Sequence, residues 1–361
     1  MKHIHIKHIA VALAMALSGN AAPALGASVH NGKTAKAATA PAATPKKMAA
    51  AKERALATIS IDAAKAHIGF LASDELNGRK AGTRDSRVAA QYIVSLLRQW
   101  GIQPLGSQYT QPFSAYSMEW QKKKPWYVQP DSVARLREGT HRRLNMANVL
   151  AMIPGTDTTR YVIVGAHFDH VGADPDLEGD QIYNGADDNA SGVSAALQIA
   201  RAFAASGVKP RRNVIFAFWD GEELGLLGSK YFVQTCPFIS QVDGYLNFDM
   251  IGRNNKPDNP PYVVYFYTES HPVFGQWLKD DIKRYGLNLD PDYRAWDKPV
   301  GGSDNGSFAL KDIPIIWYHT DGHPDYHQPS DEAQLINYEK VADITRASFL
   351  NAWNLANEAS Y

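Results

Sequence analysis

The sequence is short of three things, and each shortage excludes a class of answer. It has a single cysteine, Cys236, in 361 residues, so no intramolecular disulfide can form and no cluster of thiolates can hold a metal. No partner motif surrounds Cys236, which reads as a small buried hydrophobe at a helix end rather than a nucleophile. It has no excess charge of either sign, with 37 basic and 37 acidic residues, so nothing marks it for nucleic acid. Its amino-terminal apolar segment, Ile9 to Leu17, is far shorter than the roughly 20 residues that span a bilayer. Stable membrane insertion is therefore not expected.

What is present begins with that same segment. Lys2, His3 and Lys7 precede it, and Ala22-Pro23-Ala24 or Leu25-Gly26-Ala27 offers a small-residue cleavage site; this is the pattern of a secretory signal over residues 1–27. Export to the periplasm or medium follows as an expectation. Residues 28–55 are mostly alanine, lysine, threonine and proline, with too little apolar bulk to offset the entropy of ordering, and read as a disordered spacer. The remaining 56–361 are expected to form one domain without an insertion.

Within it, a helix is expected over Ile59 to Leu76, and a clearer one where Ala89, Tyr92, Ile93, Leu96, Leu97 and Trp100 repeat at helical spacing until Gly101 stops them. Asn77 to Thr83 reads as a turn. Gln111 to Ala147 has no strong period and reads as edge strands and loops. Then apolar runs alternate with helical patterns. The runs are Asn148 to Ile153, Tyr161 to Ala166, Val214 to Trp219, Tyr245 to Phe248, Tyr262 to Tyr267 and Ile313 to Tyr318; the helices are Ser191 to Ala205, Gly225 to Gln234, His271 to Tyr285 and Tyr338 to Glu358. Continuous apolar strands alternating with helices predict an α/β fold of three layers, a mixed, mostly parallel twisted sheet with helices on both faces.

Four of the runs end in metal-ligand residue types. Tyr161 to Ala166 leads to His167-Phe168-Asp169-His170, Val214 to Trp219 to Asp220 and Glu222-Glu223, Tyr245 to Phe248 to Asp249, and Ile313 to Tyr318 to His319, with His323 and His327 beyond. A fifth cluster, Asp187-Asp188, stands before a helix, where a cap would explain it alone. Caps do not explain four such clusters at strand ends together with a fifth before a helix. Imidazole and carboxylate without thiolate suit zinc in a hydrolytic site, with cobalt or manganese as substitutes.

H-x-D, G-A-D-D-N-A-S-G, W-D-G-E-E-L-G-L-L-G-S, N-F-D-M-I-G and Y-H-x-x-x-D, in that order, resemble the exported co-catalytic dizinc aminopeptidases, a zinc-exopeptidase family that also holds glutamate carboxypeptidases and glutaminyl cyclases. The resemblance runs from Ser60 to about Asn357 and includes D-E-L-x-G-R-x-x-G-T at Asp74 to Thr83. It implies two Zn2+ ions bridged by Asp188, which spacing alone does not separate from Asp187. His167 and Asp249 would complete one site, Glu223 and His327 the other. Two dications against three carboxylates leave one positive charge, which a bridging hydroxide neutralises.

The resemblance further implies Asp169 as the acid that orients the His167 ring, Glu222 as the general base for the bridging hydroxide, and Tyr326 as a donor to the scissile carbonyl oxygen. His170, His319 and His323 match no ligand position and read as structural or pocket-lining. Asn305 stands where many relatives have histidine, near the expected pocket wall. The activity implied is removal of amino-terminal residues from peptides. A glutaminyl cyclase, a carboxypeptidase and a non-catalytic binding protein are the alternatives, of which Tyr326 and the Leu224 to Ser229 stretch disfavour the cyclase, and the complete ligand set disfavours the binding protein.

Overall fold

The structure is a computed structural model that describes residues 43–118, 125–297 and 301–361. The signal pattern at 1–27 and the first part of the spacer lie outside the described residues. Among those described, the strands are β1 (Gln103–Pro104), β2 (Thr110–Met118), β3 (His141–Ile153), β4 (Asp157–His167), β5 (Gly172–Ala173), β6 (Ile182–Tyr183), β7 (Arg212–Trp219), β8 (Val242–Phe248), β9 (Tyr262–Tyr267), β10 (Asp290–Ala295) and β11 (Ile315–His319). The helices are α1 (Pro45–Leu56), α2 (Ile61–Leu71), α3 (Arg84–Gln99), α4 (Pro130–Arg137), α5 (Gly192–Ala205), α6 (Leu227–Thr235), α7 (Val273–Tyr285), α8 (Asn305–Ala309) and α9 (Tyr338–Asn357).

The apolar runs build the middle of one mixed sheet, ordered β1-β3-β7-β4-β8-β11-β9-β10 with β2 also on β3. The four adjacent strands β7, β4, β8 and β11 are mutually parallel. β7 is buried at every position, as a strand covered on both faces must be. Alternate residues feed two cores. Val162, Val164, Val214, Phe216 and Phe218 pack under α1, α2, α3, α5, α7 and α9, whereas Ile163, Ile215, Ala217 and Trp219 meet α6 and α8 on the other face. The fold is the expected α/β/α layering.

The chain leaves β4 through α5 to reach β7 on one side, then passes through α6 to β8 on the other. β4 is thus the point where strand order reverses, and the crevice at its carboxyl end is where open α/β sheets place their ligands. His167, Trp219, Phe248 and His319 end the four parallel strands.

Three local expectations are corrected. The spacer expected to reach residue 55 gives way at Pro45 to α1, which Thr44 caps and Pro45 starts. Alanine favours helix and needs little room, so Ala51 and Ala55 bury completely where composition alone suggested too little to bury. The helix expected to Leu76 ends at Leu71, with a tight turn over Asp74–Arg79 after it. Inside the stretch read as strands and loops, Pro130 opens the surface helix α4.

Candidate metal centre and active site

Backbone turns at the strand ends bring the acids and imidazoles together. His167 closes β4 and is 1% exposed. Its Nε2 lies 3.2 Å from Asp188 Oδ1 and 3.5 Å from Asp249 Oδ2. On the far side of Asp188, Oδ2 lies 3.1 Å from His327 Nε2, which is 2.9 Å from Glu223 Oε2. The two oxygens of Asp188 therefore face two different donor groups. Donor atoms of His167, Glu222 and Asp249 lie within 4.8 Å of one another, and so do those of His170, Asp188, Glu223 and His327.

Asp188 stands in a kinked turn ahead of α5 that is no simple cap. Asn189 donates to Phe248 O at 2.9 Å and accepts from Gly192 N at 3.0 Å, tying this turn to the end of β8. Asp331, the last residue of Y-H-x-x-x-D, accepts the backbone N–H of both Asp187 and Asp188 at 3.0 Å. The loop bearing His327 is thereby fastened beneath the turn bearing Asp188. Geometry separates the two aspartates that spacing left equal: Asp187 turns away, its Oδ1 accepting Gly252 N at 2.5 Å and its Oδ2 3.2 Å from His323 Nε2.

Three readings change in detail. Asp169 does not hold the His167 ring with its carboxylate, because that ring's Nδ1 is 3.2 Å from the Asp169 carbonyl oxygen and 3.8 Å from Oδ1. The carboxylate instead accepts the Glu222 backbone N–H at 3.0 Å, so Asp169 steers the glutamate turn. His170, expected to be structural or pocket-lining, belongs to the cluster, with Nδ1 2.7 Å from Glu223 Oε1. Asn305, expected near the pocket wall, is wholly buried where α8 begins, because the segment packs under the sheet through Asn247 Nδ2 to Ser303 Oγ and Ser229 Oγ to Ser307 Oγ. Tyr326 is 45% exposed with its ring stacked on His327, centroids 3.9 Å apart. Of the other two histidines, His319 braces the site, its Nδ1 lying 2.6 Å from Asp249 O.

One residue of consequence went unassigned. Arg79, 1% exposed, donates to Leu71 O and Asn184 O at 2.5 Å, Phe168 O at 2.9 Å and Gly185 O at 3.0 Å. A guanidinium fork is the side chain able to satisfy that many converging carbonyls. It pins the turn after β4 to the turn before Asp188. Burial lowers its pKa to about 10 against the pull of Asp188, Asp169 and Asp331, so it remains a cation at neutral pH. The signal was there in the D-E-L-x-G-R stretch, which marks a family without saying what its arginine touches.

Negative charge accumulates here beyond what the histidines balance. Burial, reinforced by Asp249, Asp304 and Glu223, holds the Glu222 carboxyl well above its ordinary range. Burial likewise raises Asp169 well above its range and Asp304 to about 7. Although burial opposes it, Glu222 and Asp249 raise His167 well above the imidazole range. Protons stand in for missing positive charge, and divalent cations would displace them. His167 Nε2, between two carboxylates, makes no well-formed hydrogen bond. The facing donor atoms of the two sites sit 2.9 to 3.5 Å apart, close to the roughly 3.3 Å that metal–donor bonds of about 2.0–2.1 Å at tetrahedral angles produce. The donor set fits zinc.

The sheet and site define an α/β/α protein with a candidate divalent-metal centre at the strand carboxyl edge. Residues 148–351 match peptidase family M28, and the chain belongs to that family. It is 34% identical over 170 residues to leupeptin-inactivating enzyme 1 of Streptomyces exfoliatus, covering 46% of this chain and 34% of that one. It is 33% identical over 175 residues to a probable leucine aminopeptidase 2 of Aspergillus oryzae, covering 46% and 32%. The chain thus spans about a third of the length of the curated relatives it matches. Among solved structures, the LapA aminopeptidase of Legionella pneumophila superposes with a TM-score of 0.64 at 22% identity, over 93% of this chain and 81% of that one, which establishes the shared fold.

Proposed function

We propose that the protein is a dizinc exopeptidase that removes amino-terminal residues from peptides, with Glu222 as its proton carrier. The observation that carries this reading is Asp188, whose Oδ1 faces His167 and whose Oδ2 faces His327, the arrangement needed to share one carboxylate between two ions. One ion would be held by His167, Asp249 and Asp188, the other by Glu223, His327 and Asp188. When bound, such a pair lowers the pKa of a water toward roughly 7 and clamps developing oxyanion charge.

The chain supplies the rest. Glu222 has a carboxylate oxygen within 4.8 Å of the His167 and Asp249 donors, and Asp169 fixes its backbone. A carboxylate in that place can take the water proton and hand it to the leaving amine, a contribution of roughly 10² to 10⁴ in rate. Burial, with Asp188 and Glu223 nearby, raises the Tyr326 hydroxyl pKa, so the hydroxyl keeps its proton and can donate to the substrate carbonyl oxygen. The aminopeptidase names among the relatives support amino-terminal action. The amino-terminal signal pattern adds export to the same reading, and cobalt or manganese would substitute for zinc.

The test is release of nitroaniline from aminoacyl nitroanilides by the purified chain. Release that a chelator abolishes and zinc restores is the expected result. No release, or release indifferent to chelator, overturns the proposal, and ammonia loss from glutaminyl peptides without cleavage would assign the site to ring closure instead.

A further inference from the structure

His170 is locked in place before any metal is considered. Its backbone N–H bonds Arg79 O at 3.3 Å, and its side chain is fully buried. Gly185, at φ 60°, leaves the ring its room: a Cβ there would come within 2.5 Å of His170 Cδ2. The ring also stands edge-on to His327, centroids 5.6 Å apart. Held so, Nδ1 lies 2.7 Å from Glu223 Oε1 and 3.7 Å from Asp188 Oδ2.

The surroundings of the two ring nitrogens distinguish a ligand from a hydrogen-bond donor. The 2.7 Å contact is the length of a charge-assisted N–H···O bond, shorter than the roughly 3.3 Å between atoms that share a zinc ion. The other ring nitrogen, Nε2, is buried with no hydrogen-bond partner among the described residues. A proton there would be a stranded donor, so the proton belongs on Nδ1. Glu223 then accepts from His170 at Oε1, while His327 Nε2 faces both of its oxygens, 2.9 Å from Oε2 and 3.1 Å from Oε1.

Resting on the two-metal reading above, we infer that His170 is a positioning residue for Glu223: its hydrogen bond to Oε1 fixes the carboxylate against His327, and so would set the affinity of the Glu223–His327 site. The His167–Asp249 site does not depend on it. Partners of this kind change metal affinity by roughly 10- to 100-fold.

The experiment follows zinc release from the full chain into a chromophoric chelator, with metal content per chain and apo-protein melting measured alongside. His170→Ala should release one of two ions roughly 10- to 100-fold faster and leave the other at the wild-type rate. His170→Asn, whose amide nitrogen falls near the Nδ1 position, should restore most of the slow phase. His170→Asp should not, because its carboxylate repels Glu223. Wild-type release rates in His170→Ala, or rescue by aspartate and not asparagine, overturn the inference; the latter result would make residue 170 a direct ligand. If the wild type itself binds no zinc, it is the two-metal reading that fails. Equal melting of the apo forms separates a metal effect from misfolding.

Discussion

The two halves of the donor cluster are built differently. His167 and Asp249 stand at or just beyond the ends of the adjacent strands β4 and β8, nearly shielded from solvent, and their positions follow from the sheet. Glu223 lies beyond a glycine turn after β7, and His327 sits on a long loop at φ 54° with its side chain 36% exposed. A donor at a strand end inherits the sheet's rigidity, whereas one on a loop is only as fixed as its tethers. Here the tethers are Asp331 beneath Asp187 and Asp188, Arg79 beneath the turns, and His170 on Glu223. The inner half is held by the sheet and the outer half by side-chain bonds, so with two ions bound as proposed the outer one should exchange first.

Asp188→Asn would break the comparison altogether, because both halves share that carboxylate. Metal analysis should find both ions lost and no turnover. Arg79→Met strikes the tethers without touching a donor. It strands buried carbonyls and should cost roughly 3–5 kcal/mol, as breaking a buried network does, read as a lowered melting temperature. Arg79→Lys should not rescue it, since an ammonium lacks the fork. Limiting chelator sharpens the contrast: at one equivalent, the ion lost should be the one whose loss His327→Ala reproduces, with the His167–Asp249 ion retained. The smallest effect is Tyr326→Phe, which should keep both ions and lower kcat by at most roughly 10²-fold, the low end for removal of an oxyanion donor.

How much of this was legible in the sequence follows the same division. Tyr262 to Tyr267 was readable to the residue, and the apolar runs located β4, β7, β8 and β11, because a strand buried on both faces writes its burial directly into composition. With the strands came the inner donors. The tethers were not legible, since a hydrogen bond depends on rotamer and turn shape rather than period. Whether His170 meets Glu223 depends on room left by Gly185, fifteen residues away. The family resemblance implies an Asp169 carboxylate on the His167 ring, yet the backbone turn gives the ring its carbonyl and sends the carboxylate to Glu222. α1 was hidden for another reason: alanine makes helix and fills small spaces without looking hydrophobic.

On the proposed mechanism, the two adjacent glutamates that follow β7 do different work, Glu223 binding metal and Glu222 moving protons. The most direct measurement is zinc per chain beside aminopeptidase turnover in Glu222→Gln and Glu223→Gln. Glu222→Gln should hold wild-type zinc while losing roughly 10² to 10⁴ in turnover, and Glu223→Gln should lose an ion. The contradicting result is Glu222→Gln losing zinc while Glu223→Gln retains two ions, which would exchange the roles assigned to the pair.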